Sequence, residues 1–169
     1  MATTPEKTPG KTPRKTRSTG RATKDARTSE EGDGFSADER AAMKDRAREL
    51  RAKRKPGDGE AEIAAKIAEM NEPDRSMAQR VHDIVRSVAP DLEPRTWYGM
   101  PAYAADGKVL CFFQPGEKFK ARYATLGFND VAALDDGAMW PTAFALTGIG
   151  EAEDARIREL VARAAAAAG

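Results

Sequence analysis

Hydrophobic positions in the first 34 residues are limited to Met1 and three alanines, and after that they follow two different periods. Residues 1–34 are built mainly from Thr, Pro, Lys, Arg and Gly, with no aromatic and no branched aliphatic side chain. Such a segment has too little apolar surface to offset the entropy of ordering it, so a disordered arm is expected. Ser36 followed by Glu39 is a capping-box pattern, in which a hydroxyl and a carboxylate satisfy donors of a first helical turn. A helix is expected from there to about residue 55, with Asp38 and Glu39 near its start and Lys53, Arg54 and Lys55 near its end. Its apolar stripe of Met43, Ala47 and Leu50 is thin, which predicts peripheral packing or partial detachment. Pro56-Gly57-Asp58-Gly59 ends it.

Ile63, Ile67 and Met70 recur at helical spacing, so a short helix is expected over 60–70. Pro73 falls near the start of the next helix, where a missing N–H costs nothing, and Ser76 with Gln79 offers a second capping box. Met77, Val81, Ile84, Val85 and Val88 make the widest helical stripe in the chain, suited to lying across a sheet. The pattern then changes. Residues 96–104, 108–113 and 119–128 are rich in aromatic and β-branched side chains. Turn signals at Ala105-Asp106-Gly107 and Pro115-Gly116-Glu117 separate them. A fourth strand is expected over 140–146, with Pro141 pointing to a sheet edge, and residues 129–137 read as a polar loop. Ile157, Leu160, Val161 and Ala164 give a closing helix over 151–168.

Helices, then strands, then a helix predict an α+β fold: a small antiparallel sheet of about four strands with helices on one face. The expected organisation is a basic arm at 1–34, a helical extension at 35–71 and an α+β domain at 72–169. Every aromatic residue except Phe35 lies between Trp97 and Phe144, so the core and any working surface are expected there.

Charge divides the chain further. Residues 1–28 hold eight basic side chains against Glu6 and Asp25, a net of +6, which leaves −5 for the remainder of a chain totalling +1. The repeated TPEK-TPGK-TPRK spaces cations along the arm, either as a solvated tail or as a sequence-independent contact to nucleic acid phosphates. The single cysteine, Cys111, excludes an internal disulfide framework and fits a reducing, cytoplasmic setting. No apolar run approaches the roughly 20 residues of a membrane span, and no apolar leader segment is evident.

Chemistry-bearing residues are sparse. His82 is the sole histidine, and beside Asp83 on a helix it cannot form a dyad, since adjacent helical residues do not face one another. A surface or boundary position is expected for it. Cys111 sits mid-strand among Leu110, Phe112 and Phe113, as a buried inert thiol would. Gly148-Ile149-Gly150 lacks the third glycine of a dinucleotide fingerprint. Two sets remain. Trp97, Tyr98, Tyr103, Tyr123 and Trp140, with Lys120 and Arg122, either fill a core or line a shallow pocket for a planar or anionic ligand. Scattered carboxylates, among them Asp130, Asp135 and Asp136, either form a solvated face or hold Fe(II), Mn(II) or Mg(II) weakly. No general base with a partner can be named, so a non-enzymatic protein is expected.

The block Thr96-Trp97-Tyr98-Gly99-Met100-Pro101-Ala102-Tyr103 resembles the YdhG-like family of bacterial domains. Val88-Ala89-Pro90, the Asp106-Gly107-Lys108 turn and the Ile157…Leu160-Val161 helix agree with it, over roughly residues 72–165. The resemblance implies a small α+β binding domain of frataxin-like character, some members being described as intracellular iron chaperones. It implies weakly bound iron, and an iron-accepting protein or small molecule as partner. Gly99-Met100-Pro101 is expected to turn the strand so that Trp97 or Tyr98 and Tyr103 share a cleft with Met100. The alternative expectation is a nucleic-acid-associated protein working through residues 1–34.

Overall fold

The structure, a computed structural model, describes residues 35–51 and 57–166. The expected arm and the end of the first expected helix lie outside the described residues. In chain order the elements are α1 (Ala37–Arg51), α2 (Asp58–Ala68), α3 (Asp74–Val88), β1 (Glu93–Trp97), β2 (Met100–Ala105), β3 (Lys108–Gln114), β4 (Ala124–Phe128), β5 (Ala143–Leu146) and α4 (Glu151–Ala165). The strands form one antiparallel meander in sequence order, β1 to β5. This is the expected α+β fold, with five strands in place of four.

The extra strand comes from the stretch expected as one, residues 96–104. It breaks at Tyr98 and Gly99, whose φ values of 53° and 70° are both left-handed, and Trp97 pairs back with Met100. Two consecutive positive φ angles make the tight turn whose twist matches a hairpin. The Asp106-Gly107 turn has the same form, with φ of 49° and 78°. A second correction concerns 119–128. Only Ala124–Phe128 pairs as a strand. Before it the chain curls, with Lys120 N–H donating to Glu117 C=O and Ala121 N–H to Gly116 C=O. Phe119 to Tyr123 therefore do not alternate between two sheet faces. β5 is the sheet edge that Pro141 suggested.

The sheet's helix-covered face supplies Tyr103, Cys111, Phe113, Leu126, Phe128 and Leu146 to a single core. Ile63 and Ile67 of α2, Met77, Val81, Ile84 and Val85 of α3, and Ile157 and Val161 of α4 meet them. Tyr103 pairs with Cys111 but Ala104 with Val109, leaving Leu110 as the extra residue of a bulge. The bulge changes the strand's parity, so Leu110 and Cys111 both enter the core. On the opposite face Trp97 packs on Phe112, ring centroids 5.0 Å apart. The Phe112 ring occupies the space above Gly127, where an added Cβ would lie 2.2 Å from it.

Residues 35–71 were expected as an extension, yet α2 belongs to the same body. Its buried Gly59 brings the helix so close to β1 that a Cβ there would meet the Pro94 carbonyl oxygen at 1.9 Å. The described residues, 35–51 and 57–166, belong to one compact unit. At the head of α1 the expected capping box is present: Ser36 N–H donates to Glu39 at 2.6 Å, and Glu39 N–H to the Ser36 hydroxyl at 3.2 Å. The second expected box is not. Ser76 lies inside α3, and its N–H and hydroxyl both donate to the Glu72 carboxylate. No helix among the described residues is long and apolar enough to cross a membrane.

Asp154 ties α3 to α4, accepting from Arg158 at 2.7 Å and Arg80 at 2.5 Å. The Arg158 guanidinium, joined by Arg80, holds its carboxyl below the ordinary range despite opposing desolvation. A lowered folded-state pKa stabilises above the unfolded value and loses that contribution as pH falls through the folded one. Asp154→Asn is therefore expected to lower the urea midpoint near neutral pH. The difference from the parent should close on acidification to below the carboxylate range. A constant difference at every pH would place the effect in packing.

Candidate functional site

Tyrosine in the left-handed region is costly, on the order of 1–2 kcal/mol, because Cβ crowds the following carbonyl. Something must hold Tyr98 there, and α1 does. The Glu49 carboxylate accepts the backbone N–H of Tyr98 at 3.1 Å through one oxygen and that of Gly99 at 2.9 Å through the other. Its side chain is only 7% exposed. Arg46, one turn earlier on α1, pairs with Glu49 at 3.4 Å and sets its guanidinium 5.7 Å from the Tyr98 ring centre. On the carbonyl side of the turn, Lys118 Nζ donates to Tyr98 C=O at 3.2 Å and Gly99 C=O at 3.3 Å. It also reaches Asp45 of α1 at 3.3 Å. Both sides of this turn's backbone are thus satisfied by side chains from elsewhere in the chain.

Beside the turn lies a cleft of about 420 Å³. Asp38 and Asp45 of α1 form one wall, and Lys66, Glu69, Met70 and Asn71 another. Asp74, Gly99, Pro115, Glu117 and Lys118 complete it. Five carboxylates face two lysines. Lys66 is paired with Glu69 at 2.9 Å and Lys118 with Asp45, while Lys120 reaches Asp38 at 2.6 Å. Asp74 is 5% exposed, and one of its oxygens accepts the Glu117 N–H at 2.9 Å. Asn71 holds the Glu117 side chain at 2.9 Å. Asp74 and Glu117 are therefore held in place by the α2–α3 junction and the β3–β4 loop.

The structure separates the aromatic residues expected to share a cleft. Trp97 and Tyr98 meet at 5.1 Å near α1, while Met100 is buried on the Phe112 face of the sheet. Tyr103 is fully buried on the other face. Tyr123 lies beside Arg122, whose guanidinium is 5.3 Å from its ring centre, at a smaller cleft of about 290 Å³ that also reaches Asp74. Trp140 packs at the margin of the core. Alternation along β2 is the reason for the split, since Met100 and Tyr103 stand an odd number of residues apart and point to opposite faces. Asp130, Asp135 and Asp136 are exposed on the loop between β4 and β5. Among the described residues no group of three or more His, Cys, Asp or Glu could hold a metal ion.

His82 has a more specific place than its sequence neighbours suggested. Its Nδ1 lies 3.1 Å from the Tyr103 hydroxyl and its Nε2 3.2 Å from Glu60, which in turn binds Arg86 at 2.6 Å. The line joins β2, α3 and α2. Burial pushes the Tyr103 hydroxyl well above its ordinary pKa, and burial raises the Cys111 thiol to about 12, as expected for an inert cysteine. Sequence reasoning missed Glu49 and Lys118. Glu49 sits among charged neighbours on a helix, and nothing in its spacing marks which carboxylate will turn inward. Comparison of the chain with protein-family models, curated proteins and solved structures returned no match.

Tyr103 belongs to the core, so removing its hydroxyl should act on stability. Tyr103→Phe is expected to cost about 1 kcal/mol in urea unfolding, the usual net worth of one hydrogen bond. The His82→Ala and Tyr103→Phe effects should be less than additive in the double variant. Additive losses would show that the two side chains do not interact.

Proposed function

We propose that the chain is a non-enzymatic binding module of YdhG-like type that holds a cationic cargo in the cleft beside the Tyr98-Gly99 turn. The observation that carries this reading is the lining itself: five carboxylates, one of them buried, around a cavity of small-ligand size. Lys66, Lys118 and Lys120 pair with Glu69, Asp45 and Asp38, so the charge offered to a cation comes chiefly from Asp74 and Glu117. Iron(II) is the cargo that the resemblance implies. With no clustered set of metal ligands among the described residues, iron would meet single carboxylates and be held weakly, which suits handing it to an accepting protein or small molecule. A reducing, cytoplasmic setting fits this role and the lone buried cysteine.

A second reading is favoured by the charge of residues 1–28: sequence-independent contact with nucleic acid phosphates. That contact would weaken steeply with salt and vanish on deletion of the arm.

The two cargo types are separated by titrating the full chain under anaerobic conditions with Fe(II) and, independently, with spermidine, followed by amide NMR. Broadening or shifts centred on Asp45, Glu69, Asp74 and Glu117 are expected for the true cargo. They should be weakened by Glu69→Gln with Glu117→Gln, and unaffected by replacing Asp130, Asp135 and Asp136 with asparagine. Loss of binding in the aspartate variant would move the site to the β4–β5 loop. Unchanged spectra with both cations at millimolar concentration would contradict a cationic cargo.

A further inference from the structure

The way α1 is attached differs from every other helix. Of its fifteen residues only Ala42 is buried, while Met43 and Leu50, at 39% and 70% exposure, face away. Its hold on the body consists of charged side chains: Glu49 on the Tyr98 and Gly99 amides, Arg46 on the Tyr98 ring, Asp45 on Lys118 and Asp38 on Lys120. The exposed pair of Asp38 with Lys120 weakens with salt, and all of these contacts can be met by a competing charged group, unlike an apolar interface.

The receiving surface belongs to the body. Successive N–H groups in left-handed conformation point to one side and make a concavity that takes a carboxylate with one oxygen on each. The Glu49 side chain shows that geometry filled. Lys118 belongs to the β3–β4 loop of the body and not to α1, and it sets a cation at the turn. We propose that the Tyr98-Gly99 turn is a carboxylate-receiving site, filled in this structure by the chain's own Glu49, and that α1 is an exchangeable strap. The incoming group is a glutamate borne on a partner's helix with an arginine three residues before it. This is the pattern that Arg46 and Glu49 present: guanidinium over the Tyr98 ring, carboxylate on the two amides. Because α1 also supplies Asp38 and Asp45 to the cleft wall, exchange would remodel the cleft. The site itself does not depend on what the cleft holds.

The test uses the full chain carrying Glu49→Ala or Glu49→Gln, each of which weakens the resident strap without touching the core. The probes are a labelled peptide with the sequence of residues 36–51, the same peptide with Glu49→Ala, and free glutarate. The variants are expected to bind the parent peptide about tenfold or more tighter than the altered one, the worth of charge-assisted hydrogen bonds. The wild-type chain, whose tethered strap competes at high effective concentration, should bind it more weakly still. The Tyr98 and Gly99 amide signals should move on binding. If glutarate moves the same two amides, a free carboxylate suffices; if only the peptide does, the helix is part of what is recognised. Equal binding of both peptides, or no movement of these amides with any probe, would overturn the proposal. Neither result would bear on cation binding at Glu69 and Glu117, so the two readings fail separately.

Discussion

A single carboxylate shared between two backbone amides organises the end of the molecule where function is sought. Tyr98 occupies a backbone region that its side chain disfavours, and Glu49 and Lys118 hold the amides and carbonyls of that turn from opposite sides. The turn fixes the register of β1 on β2, because Trp97 must return opposite Met100. That register decides which side chains of the Trp97–Tyr103 block enter the core and which stay outside. The same contacts dock α1, and α1 closes one wall of the acidic cleft. Helix docking and cleft shape thus depend on one local arrangement of charge.

The sheet's two faces are used differently. Its helix side is a conventional apolar core, with Tyr103 tied through His82 to Glu60 and Arg86. The other side is thin, with large rings laid over small residues, Phe112 above Gly127 being the clearest case. The charged cleft belongs to neither face. It forms at the sheet's end, where helix termini and loops meet and where backbone and side-chain polar groups can be satisfied without being fully buried.

Much of the fold was legible because its signals are local. Asp106-Gly107 is a favoured pair for a left-handed two-residue turn, Ser36 and Glu39 cap a helix, and the Met77-to-Val85 stripe marks the helix that crosses the sheet. Tyr98-Gly99 adopts the same turn as Asp106-Gly107, but a tyrosine at its first position carries no such signal, so one strand was expected where two exist. The bulge at Leu110 and the curl before Ala124 likewise break the strict alternation on which face assignments rest. The site was less legible than the fold. The aromatic block marked the right stretch of chain, yet the groups that line the cleft are acids and lysines distant in sequence. The wall of Asp38 and Asp45 depends on how α1 docks, which the thin stripe of Met43, Ala47 and Leu50 left undetermined.

Amide hydrogen exchange of the full chain tests the role of Glu49 most directly, comparing the wild type with Glu49→Gln at low and high salt. Glutamine offers one acceptor oxygen and one donor where two donors must be met. The Tyr98 and Gly99 amides and those of α1 should be protected in the wild type at low salt. In the variant they should exchange fast, while Cys111 and Phe113 in the central strand keep their protection. Unchanged protection of Tyr98, Gly99 and α1 in the variant would contradict the central place given to this carboxylate.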